Sequence, residues 1–423
     1  MKTTTEVEVT NAIMQGLEDP KQLEMLYQQD KSVFKRVFNH LYPDIQLSLV
    51  AKVWHERLNC VQEEISWGTN TELLYVILAS IVAAIIAKVP VITGVDPEYF
   101  YQRNVGFIIF PLLTGFFAWK RKTKLKKVMT VFLIMTVSLF FINILSKLVT
   151  DDTVLLACIH LPLFLWSLMG FIFISDRPDD YSRRLDFLKY NGDLLVMTAI
   201  ILIAGAILTF ITLGLFTMAG LPIVETYFNY VVIGGLAAAP VFGTYLVQVN
   251  PLLVNKVSPI IARVFTPLVF VTLVAYLIAI VFAGKDPFTN RDFLIVFNLM
   301  LIGVMALILF SVTEMSKATW NKPVIILLTA LAVVAIIVNG VALSAIVYRI
   351  SEWGITPNRL AVLGGNILIL IHLLWVTTTL FKTLKSHQLI VKVEKGIVLF
   401  LPIYGLWTFT IVFFFPLLFN MFR

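Results

Sequence analysis

The chain has 423 residues, of which 59% are hydrophobic and only 14% charged, and its mean hydropathy is +0.88. Soluble domains carry about 25% charged residues, so a wholly water-exposed globule is excluded and much of this chain must face lipid. The net charge of +7 does not argue for nucleic acid, because the basic residues gather at the ends of apolar runs, where bilayer orientation accounts for them.

Residues 1–70 are polar. No apolar h-region follows Met1, so no secretory signal peptide is expected. Within "DPKQLEMLYQQDKSVFKRVFNHLYPD" (19–44), Leu23, Met25, Leu26, Tyr27, Phe34, Val37, Phe38 and Leu41 recur at helical spacing, with Pro20, Asp30 and Pro43 as punctuation. A further helix is expected over 46–59. The reading is a small cytosolic segment of three short helices whose core is marginal and leans on the membrane portion or on a cytosolic protein partner.

Residues 71–423 read as an all-α, polytopic transmembrane helical bundle. A span needs roughly 20 apolar residues. About eleven are expected, near 72–94, 104–119, 128–149, 154–174, 193–217, 222–247, 260–283, 291–313, 323–348, 360–381 and 397–419. The second is short, and the fourth and sixth are expected to be cut by Pro162 and Pro240. With the N-terminus in the cytosol, the inner connections hold 18 Lys and Arg and the outer ones 8. "KRKTKLKK" (120–127) is the strongest of the inner set. This asymmetry predicts a cytosolic N-terminus and an extracytoplasmic C-terminus.

The stretch "YRISEWGITPNRL" (348–360) puts two arginines on the disfavoured outer side. Gly354 suits a left-handed helix end. Thr356 and Pro357 suit an N-cap and a first helical residue. Arg359 then lies in a first turn, where the helix dipole is positive and a cation needs an anion nearby. The pattern recurs in "DPFTNRDF" (286–293), with Arg291 in the first turn, and the sixth span carries Glu225 one turn in, followed by Asn229. One reading gathers Arg291, Arg349 and Arg359, with Glu352 and Glu225 as counter-charges, around an anionic small molecule or lipid headgroup. The other pairs Arg349 with Glu352 locally and lets Arg291 and Arg359 snorkel to membrane lipids beside an interfacial Trp353.

The arrangement of Arg349, Glu352, Trp353, Gly354, Thr356, Pro357 and Arg359 between two late spans resembles a signature of the bacterial polytopic membrane family of domain of unknown function 4153, related to 4173. "NRDFL" (290–294) is similar too, and "LEMLYQQDKSVFKRVF" resembles an N-terminal extension of some members. The resemblance covers most of residues 70–420. It implies a multi-pass protein of the bacterial inner (cytoplasmic) membrane and carries no catalytic assignment.

Among intramembrane polar residues, His160 and His372 are candidates for proton relay. Asn143, Asn298, Asn339 and Asn366 suit hydrogen bonds between helices. Cys60 and Cys158 are far apart, and no metal-ligand spacing or cofactor motif is present. No catalytic residue is assigned. Three functions stay open. The first is a transporter or a lipid- or anion-handling protein. The second is a sensor or scaffold relaying through residues 1–70. The third is an intramembrane transferase acting on a lipid-linked substrate.

Overall fold

A computed structural model describes residues 2–17, 19–29, 31–59, 68–145, 152–175, 180–218, 223–250, 266–275, 277–278, 291–315, 322–384 and 390–420. Among these residues every regular element is a helix. The chain divides into two compact units, Met1–Ser66 and Trp67–Arg423.

The first unit has four helices, α1 (Lys2–Gly16), α2 (Pro20–Gln29), α3 (Lys31–Ile45) and α4 (Leu49–Asn59). Three were expected. The additional α1 comes from "KTTTEVEVTNAIMQG", which has no apolar stripe and is anchored by the buried Ile13. Pro43 lies inside α3 rather than ending it. The core is aromatic: Phe34, Phe38 and Trp54 are buried, with 5.2 Å between the Phe34 and Trp54 ring centroids. Arg57 covers this cluster. Its guanidinium lies 4.4 Å from the Trp54 centroid and pairs with Glu24 at 2.6 Å.

The second unit begins with α5 (Asn70–Ala87), α6 (Val89–Thr93), α7 (Pro97–Lys120), α8 (Leu125–Ile144), α9 (Asp152–Ile174) and α10 (Tyr181–Met218). After α11 (Val224–Tyr227) comes a π-helical turn, Phe228–Val232, and then α12 (Ile233–Val249). A described stretch of helix follows as α13 (Thr266–Ala275). The chain continues through α14 (Arg291–Met315), α15 (Lys322–Trp353), α16 (Pro357–Thr383), α17 (Ile390–Leu399) and α18 (Leu401–Phe409). It finishes with a second π turn, Thr410–Phe414, and α19 (Phe415–Asn420). Hydrocarbon offers the backbone no hydrogen-bond partners, so a chain this apolar satisfies its amides and carbonyls within helices.

Eight stretches among the described residues are long and apolar enough to cross a bilayer: 70–87, 125–144, 152–174, 181–214, 224–249, 322–353, 357–383 and 391–419. This is the architecture of a multi-pass membrane protein. The expected second span differs most. It is α7, 24 residues long rather than short, and too polar in its first half to count among the eight. Asp96 caps it, accepting from the Glu98 and Tyr99 amides at 3.2 and 3.4 Å, and Pro97 opens it. Two of the polar residues in its first half are buried. Asn104 and Asn143 of α8 exchange amide hydrogen bonds at 2.9 and 3.1 Å, and the buried Arg103 stacks 4.1 Å from the Tyr99 ring centroid. The expected seventh span lies partly outside the described residues, and the eighth is α14. Pro162 and Pro240 do not cut their spans, because α9 and α12 run through them. The departure from α geometry falls instead at the π turn before α12.

Contacts fix which helix ends lie together. Glu72, which closes a capping box with Thr69 at the start of α5, pairs with Lys120 at the end of α7 at 3.0 Å. Lys127 at the start of α8 donates to the Ser175 carbonyl just after α9. Two cores result. One joins α5, α7, α8, α9, α10 and α12 around Phe116, Phe117, Phe173, Phe187, Tyr190 and Tyr245. The other joins α13 to α17 around Leu328, Leu331, Val338, Leu373, Val376 and Leu380, with Leu185 and Leu188 of α10 packed against it.

Two glycines let aromatic rings close the seam between α16 and the α17–α18 pair. A Cβ at Gly364 would stand 2.2 Å from the Trp407 ring, and one at Gly396 would stand 2.2 Å from Trp375 Nε1. Gly340 of α15 opens on free space. Gly364→Ala should therefore destabilise the protein by about 1–3 kcal/mol, as overpacking does, while Gly340→Ala stays neutral or stabilises through helix propensity. Thermal unfolding in detergent measures both, and equal midpoints for the two variants would contradict the seam.

Candidate functional site

The 348–360 stretch is built as a helix–turn–helix corner. The Gly354 amide bonds the Ile350 carbonyl at 2.9 Å, and Gly354 has φ 74°, the left-handed backbone that favours glycine. Thr356 Oγ1 accepts from the Arg359 amide at 3.3 Å, and Pro357 opens α16. The Arg359 guanidinium folds back across the corner and donates to the Trp353 and Gly354 carbonyls at 2.7 and 2.6 Å. A cation in the first turn of α16 is thus stabilised by the negative end of α15. Trp353 lies between the two arginines, with Arg349 and Arg359 5.7 and 5.8 Å from its ring centroid. Glu352 is exposed.

The other proposed members of that cluster divide. Helices α14 and α16 are neighbours, joined by Asn366 Nδ2 donating to Asn298 Oδ1 at 2.9 Å. Arg291 and Arg359 each precede their asparagine by seven residues. The Arg291 side chain itself lies outside the described residues. Glu225 is exposed on α11, ahead of α12, and α12 packs on α5, α7 and α10, whereas α14, α15 and α16 pack on one another. His160 bonds the Leu156 carbonyl of its own helix through Nδ1 at 2.9 Å, a local arrangement.

His372 is placed differently. It is fully buried in α16 and faces the α17–α18 pair. Its Nδ1 is 3.0 Å from the Tyr404 hydroxyl, its ring stacks flat on Phe400 at 4.2 Å, and its Nε2 has no hydrogen-bond partner among the described residues. The helix it faces is interrupted at this point. Phe400 separates α17 from α18, and its amide reaches the Ile397 carbonyl at 3.4 Å in a tighter turn than an α-helix makes. Pro402 causes the interruption. It has no N–H to offer the Val398 carbonyl four residues back. Arg184 of α10 comes to that carbonyl instead, with Nη1 at 3.5 Å.

Sequence reasoning missed the charges that line α10 and α17. The expected fourth and fifth spans leave 175–192 as a connection between them. The helix starts at Tyr181, so Lys189 and Asp193 lie inside it and are buried, as is Glu394 of α17. The signal was present in "RRLDFLKYNGD": Asp186, Lys189 and Asp193 recur at three- and four-residue spacing, a helical face rather than a loop. Among the described residues no group of three or more His, Cys, Asp and Glu is disposed to hold a metal ion.

Replacing Arg359 by Ala should cost about 1 kcal/mol, the low end for a charged donor because the site is half-exposed. Arg359→Lys should recover only part of this, since an ammonium lacks the planar fork that reaches both carbonyls. Thermal unfolding of the two variants measures the cost, and wild-type stability in both would contradict the cap.

Compared with family models, with curated proteins and with solved structures, the chain gives no match.

Proposed function

We propose that the protein is a membrane transporter that exchanges protons at His372. The observation that carries the proposal is a fully buried histidine with Nδ1 on the Tyr404 hydroxyl and Nε2 without a partner among the described residues, set against a helix interrupted at Phe400. Ionisable groups inside a membrane are costly to bury and are functional by default. Interrupted helices are where transporters place substrate and coupling ions. The buried Lys189, Asp193 and Glu394 on the adjoining α10 and α17 add to this support. Tyr404, half-buried, carries the relay one residue toward the surface. The arginine corner at 349–359 then serves to hold α15 to α16, which positions His372. The asymmetry of Lys and Arg supports a cytosolic N-terminus, and only the resemblance of the 349–359 stretch suggests a bacterial inner membrane.

The test does not require a known substrate. Proteoliposomes loaded with a mixed small-molecule extract are diluted into buffers of higher or lower pH, and the released solutes are identified by mass spectrometry. Wild type should release at least one solute at a rate that follows the pH gradient. His372→Ala should abolish the gradient dependence and Tyr404→Phe should weaken it, with both variants folded. Wild-type vesicles that release nothing beyond empty liposomes, or a His372→Ala variant that matches wild type, would sink the proposal.

A further inference from the structure

We infer a second site, at the far end of α5, where Lys88 under Tyr230 binds a phosphate-bearing anion. Lys88 follows the last residue of α5. It is 8% exposed, and its Nζ has no hydrogen-bond partner among the described residues. A lysine at a helix C-terminus ordinarily turns to the last carbonyls. Here those carbonyls have other donors. Tyr101 OH donates to Ala87 O at 2.7 Å, and the Lys88 amide itself takes Ile85 O at 3.0 Å. The ammonium lies instead 4.2 Å from the Tyr230 ring centroid.

That contact satisfies the charge from one side and leaves three N–H donors without an oxygen acceptor among the described residues. Tyr230 is 64% exposed, so the ring forms a lid that faces outward while the charge sits beneath it. The lid is carried on the π turn Phe228–Val232, a local form that recurs at functional sites. A rotation of the exposed ring uncovers the ammonium without moving α5. The position selects the ligand. Lys88 marks the end of a candidate span, the level where lysines reach lipid phosphates and tyrosines form the interfacial belt. The matching group is therefore a phosphate oxygen, from a lipid headgroup or from free phosphate. This site is independent of His372.

The experiment uses the purified full chain in two arms. In the first, native mass spectrometry follows binding of phosphatidylglycerol against phosphatidylcholine. In the second, thermal unfolding follows the response to inorganic phosphate. Wild type should prefer phosphatidylglycerol, and Lys88→Met should lower that binding about fivefold, the worth of one basic residue near a bilayer surface. Lys88→Arg should retain it, and Tyr230→Ala should speed lipid exchange. A phosphate-induced rise in the unfolding midpoint that Lys88→Met removes, with lipid binding unchanged, would assign the site to free phosphate. Lys88→Met matching wild type in both arms overturns the inference. Should that variant not fold, Tyr230→Ala decides, because unaltered lipid exchange and phosphate response would overturn the inference equally.

Discussion

The structure depends on one constraint: polar groups removed from water must find partners inside the chain. The backbone meets it by becoming helix, since an open strand edge or an irregular loop in hydrocarbon leaves amides and carbonyls unpaired. The side chains meet it locally or in pairs. Thr114, Ser138 and Thr329 return their hydroxyls to a carbonyl four residues back. Asn104 and Asn143 satisfy each other, Asn366 donates to Asn298, and Tyr190 OH meets Thr244 Oγ1 at 2.8 Å. Pairs of this kind contribute about 0.6 kcal/mol each in membranes, so their effect is to fix which helices neighbour one another more than to supply stability.

Seen this way, the interruption at Phe400 is informative because it follows from a single residue. Pro402 withholds a donor from Val398 O, Arg184 supplies one from another helix, and the turn tightens so that Phe400 lies flat on His372. Rings seated on Gly364 and Gly396 hold the seam on either side. The imidazole is thereby fixed by a stack and one hydrogen bond while its second nitrogen is left over. A stacked, bonded and half-satisfied imidazole can pass a proton without a change in helix packing, which is the property the proposed function needs.

Much of the architecture was legible in the residues. The all-helical class follows from composition alone. The corner at Gly354, Thr356 and Pro357 was readable because each residue has one conformational use there. The purpose of Arg359 was not, since its partners are carbonyls of the preceding helix and main-chain oxygens have no signature in a sequence. The start of α7 was misread because Arg103 and Asn104 look like loop residues until Tyr99 and Asn143 are placed beside them. Lys189 falls in an expected connection because hydropathy was weighed ahead of periodicity. The two π turns and the interruption at Phe400 depend on packing between helices distant in sequence, and only Pro402 hinted at one of them.

Hydrogen–deuterium exchange across residues 391–409, with the protein in a bilayer, tests the central claim most directly: that the helix facing His372 is open at Phe400. Exchange at Leu399, Phe400 and Leu401 should be much faster than in the turns on either side, because an interruption beside an ionisable group admits water and an intact membrane helix does not. Uniform protection from 391 to 409 would contradict it, leaving His372 sealed in a structural seam with no route for a proton.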